Sequence, residues 1–287
     1  RKLMTTGKDE NVFNIAIKGN FDDCQNLVKS MFADKKFSND IKMSGVNSIN
    51  WARIIAQSVY YFYSYSSVED TSEPTNFSVP TGNFGDVYAG YLAKKMGLPI
   101  DKLIVATNQN DILHRAISKG SYEAEKVSET ISPSMDIQIA SNFERLIFDL
   151  NNGDDQQTSL DMKDIKEKGQ YLINEDKLNK ISENFLSARM SEDETLEVIK
   201  NIYEKFDVVL DPHTAIGYGA FDKHNLKGNN IVLATAHPCK FPGAIQSAIN
   251  VKAELPNELT FILDQKENYD IIENDIEKVK LHIQDRV

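Results

Sequence analysis

The chain has 287 residues, of which 41% are hydrophobic and 26% charged, ordinary values for a soluble globular protein with a substantial core in one or two domains. Its 32 Lys and Arg face 43 Asp and Glu, a net charge of -11, which disfavours nucleic acid or an anionic membrane as a general partner and requires a locally positive pocket for any anionic substrate. Two cysteines, Cys24 and Cys239, and five scattered histidines give no disulfide framework and no metal spacing, and no apolar run is long enough to span a bilayer.

In chain order, Val12 to Lys18 alternates as a strand, with Phe13, Ile15 and Ile17 on one side. Gly19 and Asn20 turn the chain into a helical pattern of Phe21, Cys24, Leu27, Val28 and Met31, with Asp22 and Asp23 in the first turn, where they favour the helix dipole. Ile49 to Tyr65 reads as a helix whose broad apolar face, Trp51, Ile54, Ile55, Val59, Phe62 and Tyr63, is expected to pack on a sheet. Phe77, Ser78 and Val79 form a short strand, ended by Pro80, which has no N–H to give a ladder. From Val87 a helix runs through Tyr91, Leu92 and Met96 and stops at Gly97, ahead of Pro99. Lys102 to Thr107 is the next strand, and Asn110 or Asp111 caps a helix carrying Leu113 and Ile117. Strands alternating with helices predict a parallel sheet covered on its faces.

The region 129–206 then reads as a helical insertion, with Ser141/Glu144 and Ser191/Glu194 both at capping-box spacing. Asp207 to Leu210 and Ile231 to Ala234 return to strand character, Phe241 to Ile249 is helical, and Leu255 to Val287 ends in a turn and a charged helix.

The residues that suggest chemistry gather at strand ends. Gly82-Asn83-Phe84-Gly85-Asp86 sits between a strand and a helix, where glycines let backbone N–H groups approach an anion and the helix start adds positive dipole. Asp86 would repel that anion unless its side chain is held away. Thr235 ends a strand, where the ligand sites of parallel sheets lie. Asn47, Ser48 and Asn50 precede a helix, with Asn47 or Ser48 as its cap, and Arg53 sits one turn in, placed to pair with an anion or a carboxylate. Asn108, Asn110 and Asp111 read first as loop-stabilising, and Asp211-Pro212-His213-Thr214 as a helix entry.

Asn76 to Leu98 resembles the phosphate loop of threonine synthase, a pyridoxal-phosphate (PLP) enzyme of fold type II. Val46 to Arg53, Thr107 to Asp111, Leu210 to Ala215 and Ala234 to Pro238 resemble further motifs of that family, in its order and at its spacing. The resemblance implies an α/β fold, mainly a parallel sheet with flanking helices. It implies PLP as cofactor, its phosphate on Gly82, Asn83, Phe84, Gly85 and Asp86 and its ring nitrogen facing the Thr235 hydroxyl. Substrate contacts are implied at Asn47, Ser48, Asn50 and Arg53, with O-phospho-L-homoserine and water converted to L-threonine and phosphate. The family's Schiff-base lysine segment and substrate-carboxylate loop lie upstream of Arg1. The chain is therefore expected to be the C-terminal part of a longer enzyme, truncated at the N-terminus, with no catalytic residue of its own and inactive alone. Residues 1–45 become the remainder of a smaller domain and 46–287 a large PLP-binding domain. A cytoplasmic monomer or homodimer without metal, nucleic acid or membrane is the accompanying expectation. The alternatives are a phospho-lyase that loses phosphate without adding water at Cβ, and a non-catalytic binding domain that kept the fold.

Overall fold

Strands β1 (Ile15–Lys18), β2 (Thr75–Pro80), β3 (Ile100–Thr107), β4 (Ser121–Glu123), β5 (Gln170–Leu172), β6 (Phe185–Arg189), β7 (Asn229–Val232) and β8 (Asp270–Glu273) make three sheets. They come from a computed structural model that describes every residue except Lys8, Asn20, Ser48 and Ile49, together with all side chains other than those of Phe21, Asp22 and Gln25. The chain forms two units. Val46–Glu254 is one; Arg1–Gly45 with Leu255–Val287 is the other.

The first unit is built on a four-stranded parallel sheet in the order β6-β3-β2-β7. Every residue of β2 is buried, because helices cover both faces. Alternation along β2 divides the core: Phe77 and Val79 pack with Tyr61, Val87 and Ala89, while on the opposite face Ile104 and Ala106 of β3 pack with Ile216 and Ala220. The polar residues of β2 are paired inside. The Ser78 hydroxyl donates to the Gly217 carbonyl at 2.5 Å, and Asn76 Nδ2 donates to the Lys227 carbonyl at 3.1 Å and Asn230 Oδ1 at 2.9 Å. All four strands run the same way, so Pro80, Thr107, Arg189 and Val232 share one carboxyl edge.

The helix Trp51–Ser66 corrects an expectation. Its buried line is Ile54, Ser58 and Tyr61, while Trp51, Ile55, Val59, Phe62 and Tyr63 are exposed. It packs chiefly on the helix Gly85–Lys95, and meets the sheet through Tyr61, whose ring centroid lies 4.9 Å from that of Phe77. The reason is Gly90, where an added Cβ would sit 2.4 Å from Tyr61 Cε1. Glycine there lets the Tyr61 ring seat deeply and so fixes the rotation of the helix.

Two further differences follow from strand pairing. The region 129–206 is not purely helical, for it supplies β5, antiparallel to β4, and β6, the edge strand beside β3. The segment Leu255–Val287, expected in the large domain, groups with the first 45 residues because β8 pairs in parallel with β1. There Leu27, Met31, Phe37 and Val279 form a small core of their own. The Ser191/Glu194 capping box forms, with the Glu194 backbone N–H donating to Ser191 Oγ at 3.2 Å and the Ser191 N–H to Glu194 Oε2 at 2.7 Å. The Ser141/Glu144 box does not, because the helix Phe143–Leu150 begins one residue later, at Asn142. Among the described residues no helix is long and apolar enough to cross a membrane, and no cluster of His, Cys, Asp and Glu suits a metal ion.

Candidate functional site

Beyond Pro80 the ladder continues for one bond, Thr81 N–H to the Ala106 carbonyl at 2.8 Å, and then the chain turns. Gly82 is pressed against the turn Pro133–Met135, where a Cβ would lie 2.4 Å from the Ser134 carbonyl oxygen. Phe84 takes the left-handed conformation, φ 65°, and opens the helix Gly85–Lys95 with no side-chain cap. Its buried ring meets Phe143 edge-on at 5.2 Å and Phe185 at 5.9 Å, which offsets the backbone strain of a bulky residue in that region. The ring anchors the turn. The backbone N–H groups of Gly82, Asn83, Phe84, Gly85 and Asp86 have no acceptor among the described residues. Successive backbone donors at a helix start are the kind of group that can receive an anion.

Asp86 is the charge that opposes such a site. Burial pushes its carboxyl up to about 6, partly offset by the hydrogen bond from Tyr61. The Tyr61 hydroxyl lies 2.8 Å from the Asp86 carbonyl and 3.3 Å from Asp86 Oδ1, so the carboxyl is tied toward the helix Trp51–Ser66. A raised folded pKa means that the unfolded chain releases this proton first as pH climbs. Its contribution to stability is therefore greatest below about pH 4 and is lost as pH rises through about 6. Asp86→Asn should flatten the stability profile between those values, as urea titrations at a series of pH values would show. A slope unchanged by the substitution contradicts this assignment.

Thr235 follows the end of β7 by three residues and is exposed. The register pairs Ser78 with Val232, and the Leu233 N–H donates to the Ser78 carbonyl at 3.0 Å. Thr235 thus lies past the same carboxyl edge as Gly82–Asp86. Two clefts among the described residues do not include this turn; one of about 620 Å³ is lined by Trp51, Tyr88, Lys95, Arg145 and Asp149, the other by Asp40, Lys42 and Gln284.

Asn50 caps the helix Trp51–Ser66 by accepting from the Ala52 N–H at 2.9 Å, the role expected of Asn47 or Ser48. Ser48 lies outside the described residues. Asn47 accepts from the Asn50 N–H at 3.0 Å, and the Arg53 guanidinium donates back to the Val46 carbonyl at 3.1 Å, bracing this loop. Asn108 and Asn110 hold a polar network with Thr130, Ser132 and Asp136, which fixes the loop that meets Gly82. Two residues of this region were not read from the sequence, Asn142 and Arg145. The Asn142 N–H donates to the Asn83 carbonyl at 3.0 Å, Arg145 Nε to Asn142 Oδ1 at 2.9 Å, and the Arg145 guanidinium covers Trp51 at 5.3 Å. They connect the Gly82–Asp86 turn to the start of the Trp51–Ser66 helix. No local motif marks them, since the pairing joins distant segments.

A parallel sheet with a strand-to-helix turn at its carboxyl edge is the architecture of the fold type II class. Within it the chain is related in sequence and fold to the threonine synthases. A family profile described as "Threonine synthase, C-terminal" matches residues 214–283. The chain is 43% identical to the threonine synthase of Pseudomonas aeruginosa over 286 residues, covering 99% of this chain and 61% of that protein. It is 43% identical to the Saccharomyces cerevisiae threonine synthase with the same coverage. The crystal structure of PLP-bound threonine synthase from Brucella melitensis superposes with a TM-score of 0.95 at 45% identity, over 99% of this chain and 62% of that one. The chain thus spans about three-fifths of the length of the relatives it matches.

Proposed function

We propose that this chain supplies the cofactor-phosphate site of a PLP-dependent threonine synthase, an enzyme that converts O-phospho-L-homoserine and water to L-threonine and phosphate. The observation that carries the reading is the run of five backbone donors at Gly82–Asp86 with no acceptor among the described residues. It fits the phosphate end of PLP, and it falls in a chain whose relatives are threonine synthases. The P. aeruginosa and yeast relatives support the activity, and the B. melitensis structure supports the cofactor.

In this reading Gly82, Asn83, Phe84, Gly85 and Asp86 hold the phosphate through main-chain N–H groups, and the Thr235 hydroxyl meets the ring nitrogen. PLP, when bound, withdraws electrons from the substrate and so makes phosphate loss and water addition possible. A hydroxyl is a weaker partner for a ring proton than a carboxylate, which moderates that withdrawal. The loop of Asn47, Asn50 and Arg53 forms one wall toward the substrate, with Ser48 among the proposed contacts. The same reading places the reaction in the cytoplasm. The test is product analysis of the full-length protein as the cell makes it, given PLP and O-phospho-L-homoserine. Threonine and phosphate in equal amounts are the expected result. 2-Oxobutanoate with phosphate and no threonine would establish the phospho-lyase instead, and no turnover of this substrate would reject both.

A further inference from the structure

The buried dyad Asp211–His213 opens the helix Pro212–Asp222 and remains unassigned. Asp211 caps that helix, accepting from the backbone N–H of His213 at 2.9 Å and of Thr214 at 3.4 Å. The Thr214 hydroxyl donates to its second carboxylate oxygen, and His213 Nδ1 lies 3.0 Å from the first. Burial alone would raise the Asp211 carboxyl, but the hydrogen bonds from His213 and Thr214 hold it below its ordinary value. An ionised carboxylate only accepts, so the Nδ1 of His213 carries a proton. That leaves Nε2. His213 is 4% exposed, and its Nε2 is buried with no hydrogen-bond partner among the described residues. A buried polar atom left without a partner costs about 1–3 kcal/mol and calls for a reason.

Helix geometry says where this atom lies. His213 and Gly217 are four residues apart and share one face. A Cβ on Gly217 would stand 3.0 Å from Val232 Cγ1 and 3.1 Å from Pro80 Cγ, so that face rests on the carboxyl ends of β7 and β2. One turn toward the helix N-terminus, His213 projects past those ends. Pro80 leads there into the Gly82–Asp86 turn, and Val232 leads to Thr235. The Phe241 ring, 4.9 Å from the imidazole, offers no lone pair.

We propose that His213 Nε2 is the hydrogen-bonding contact for the phosphate group of a phosphorylated amino-acid substrate, placed by the anionic Asp211. The proposal rests on the threonine-synthase reading above and adds a residue to its substrate site. The chain is acidic overall, so a substrate phosphate needs local hydrogen-bond partners, and Nε2, as an acceptor, can hold the hydroxyl proton of a phosphate monoester. As the ester bond breaks, its oxygen takes the electron pair, and the proton shared between the phosphate and Nε2 favours departure.

The experiment is NMR of the 287-residue chain labelled with 15N-histidine and 15N-glycine, titrated separately with O-phospho-L-homoserine, L-homoserine and PLP. The phosphorylated compound should move the His213 Nε2 signal, and L-homoserine should not. His213→Asn, whose amide can replace the Nδ1 bond to Asp211, should bind O-phospho-L-homoserine about tenfold to a hundredfold more weakly, as for a lost hydrogen bond to a charged group. The same variant should keep its melting temperature and the PLP-induced shifts of Gly82 and Gly85. His213→Gln, which reaches the Nε2 position, should recover part of the binding. A silent Nε2 signal, an equal response to L-homoserine, or undiminished binding by His213→Asn overturns the proposal. Gly82 and Gly85 amides indifferent to PLP would reject the cofactor reading instead, whatever His213 does.

Discussion

Gly82→Ala weakens PLP binding by at least about a hundredfold, the largest functional effect expected of a single methyl group in this chain. The methyl has nowhere to go, because it would meet the Ser134 carbonyl oxygen at 2.4 Å and that oxygen belongs to the backbone of a turn. The loop must therefore move, and with it the backbone donors at the helix start. Two misdirected charge-assisted bonds, each of about 1.5–3 kcal/mol, correspond to a loss of that size. Gly85→Val should act similarly, since a branched side chain at the first helical residue obstructs the approach to its own N–H. Thr235→Ala is the contrast. It should leave the phosphate held and alter the cofactor's absorbance and the reaction rate. Equilibrium titration of each variant with PLP, followed by absorbance, checks all three. Binding that survives Gly82→Ala but fails in Thr235→Ala would mean that the two ends of the cofactor have been assigned the wrong way round.

Phe84→Ala should remove about 3–5 kcal/mol of stability, the range for deleting a buried aromatic ring. Phe84 has no exposure and lies among Phe143 and Phe185, so the cavity left cannot fill with solvent or collapse onto a flexible neighbour. Its backbone supplies a sharper test. At φ 65° alanine pays for the left-handed region and glycine does not. Phe84→Gly should then be at least as stable as Phe84→Ala, the reverse of the order expected inside a helix, where glycine is about 1 kcal/mol worse. Urea midpoints of the two variants decide it. A Gly variant clearly less stable than the Ala variant would show that the strained turn relaxes once the ring is gone.

Much of this was legible because the decisive signals are local. Pro80, Gly82 and Gly85 punctuate a strand and a helix within a few residues, and the alternation around them implies parallel strands with a shared carboxyl edge. Thr235 was placed on that edge by the same logic, and β7 runs in the direction required. What escaped depends on contacts between distant segments. The apolar face of the helix Trp51–Ser66 has more candidates than it buries, and Gly90, 36 positions after Ile54 in the chain, selects Tyr61 and leaves Val59 and Tyr63 to solvent. Strand β6 hides in a region rich in helical pattern, since FLSAR is short and half buried and acquires its role from pairing with β3. The place of Leu255–Val287 was equally invisible, because β1 alone does not say which strand completes its ladder. Arg145 reads from sequence as one more charge on a helix, and only its contacts with Trp51 and Asn142 bring it to the site.

The proposed function requires that the Gly82–Asp86 amides bind the cofactor's phosphate. The most direct measurement is the 1H–15N spectrum of the chain titrated with PLP and, separately, with pyridoxal, which lacks the phosphate. PLP should shift the amides of Gly82, Asn83, Phe84, Gly85 and Asp86 together, in the direction of stronger hydrogen bonding, while pyridoxal leaves them in place. Amides that stay fixed with PLP, or respond equally to pyridoxal, would contradict it.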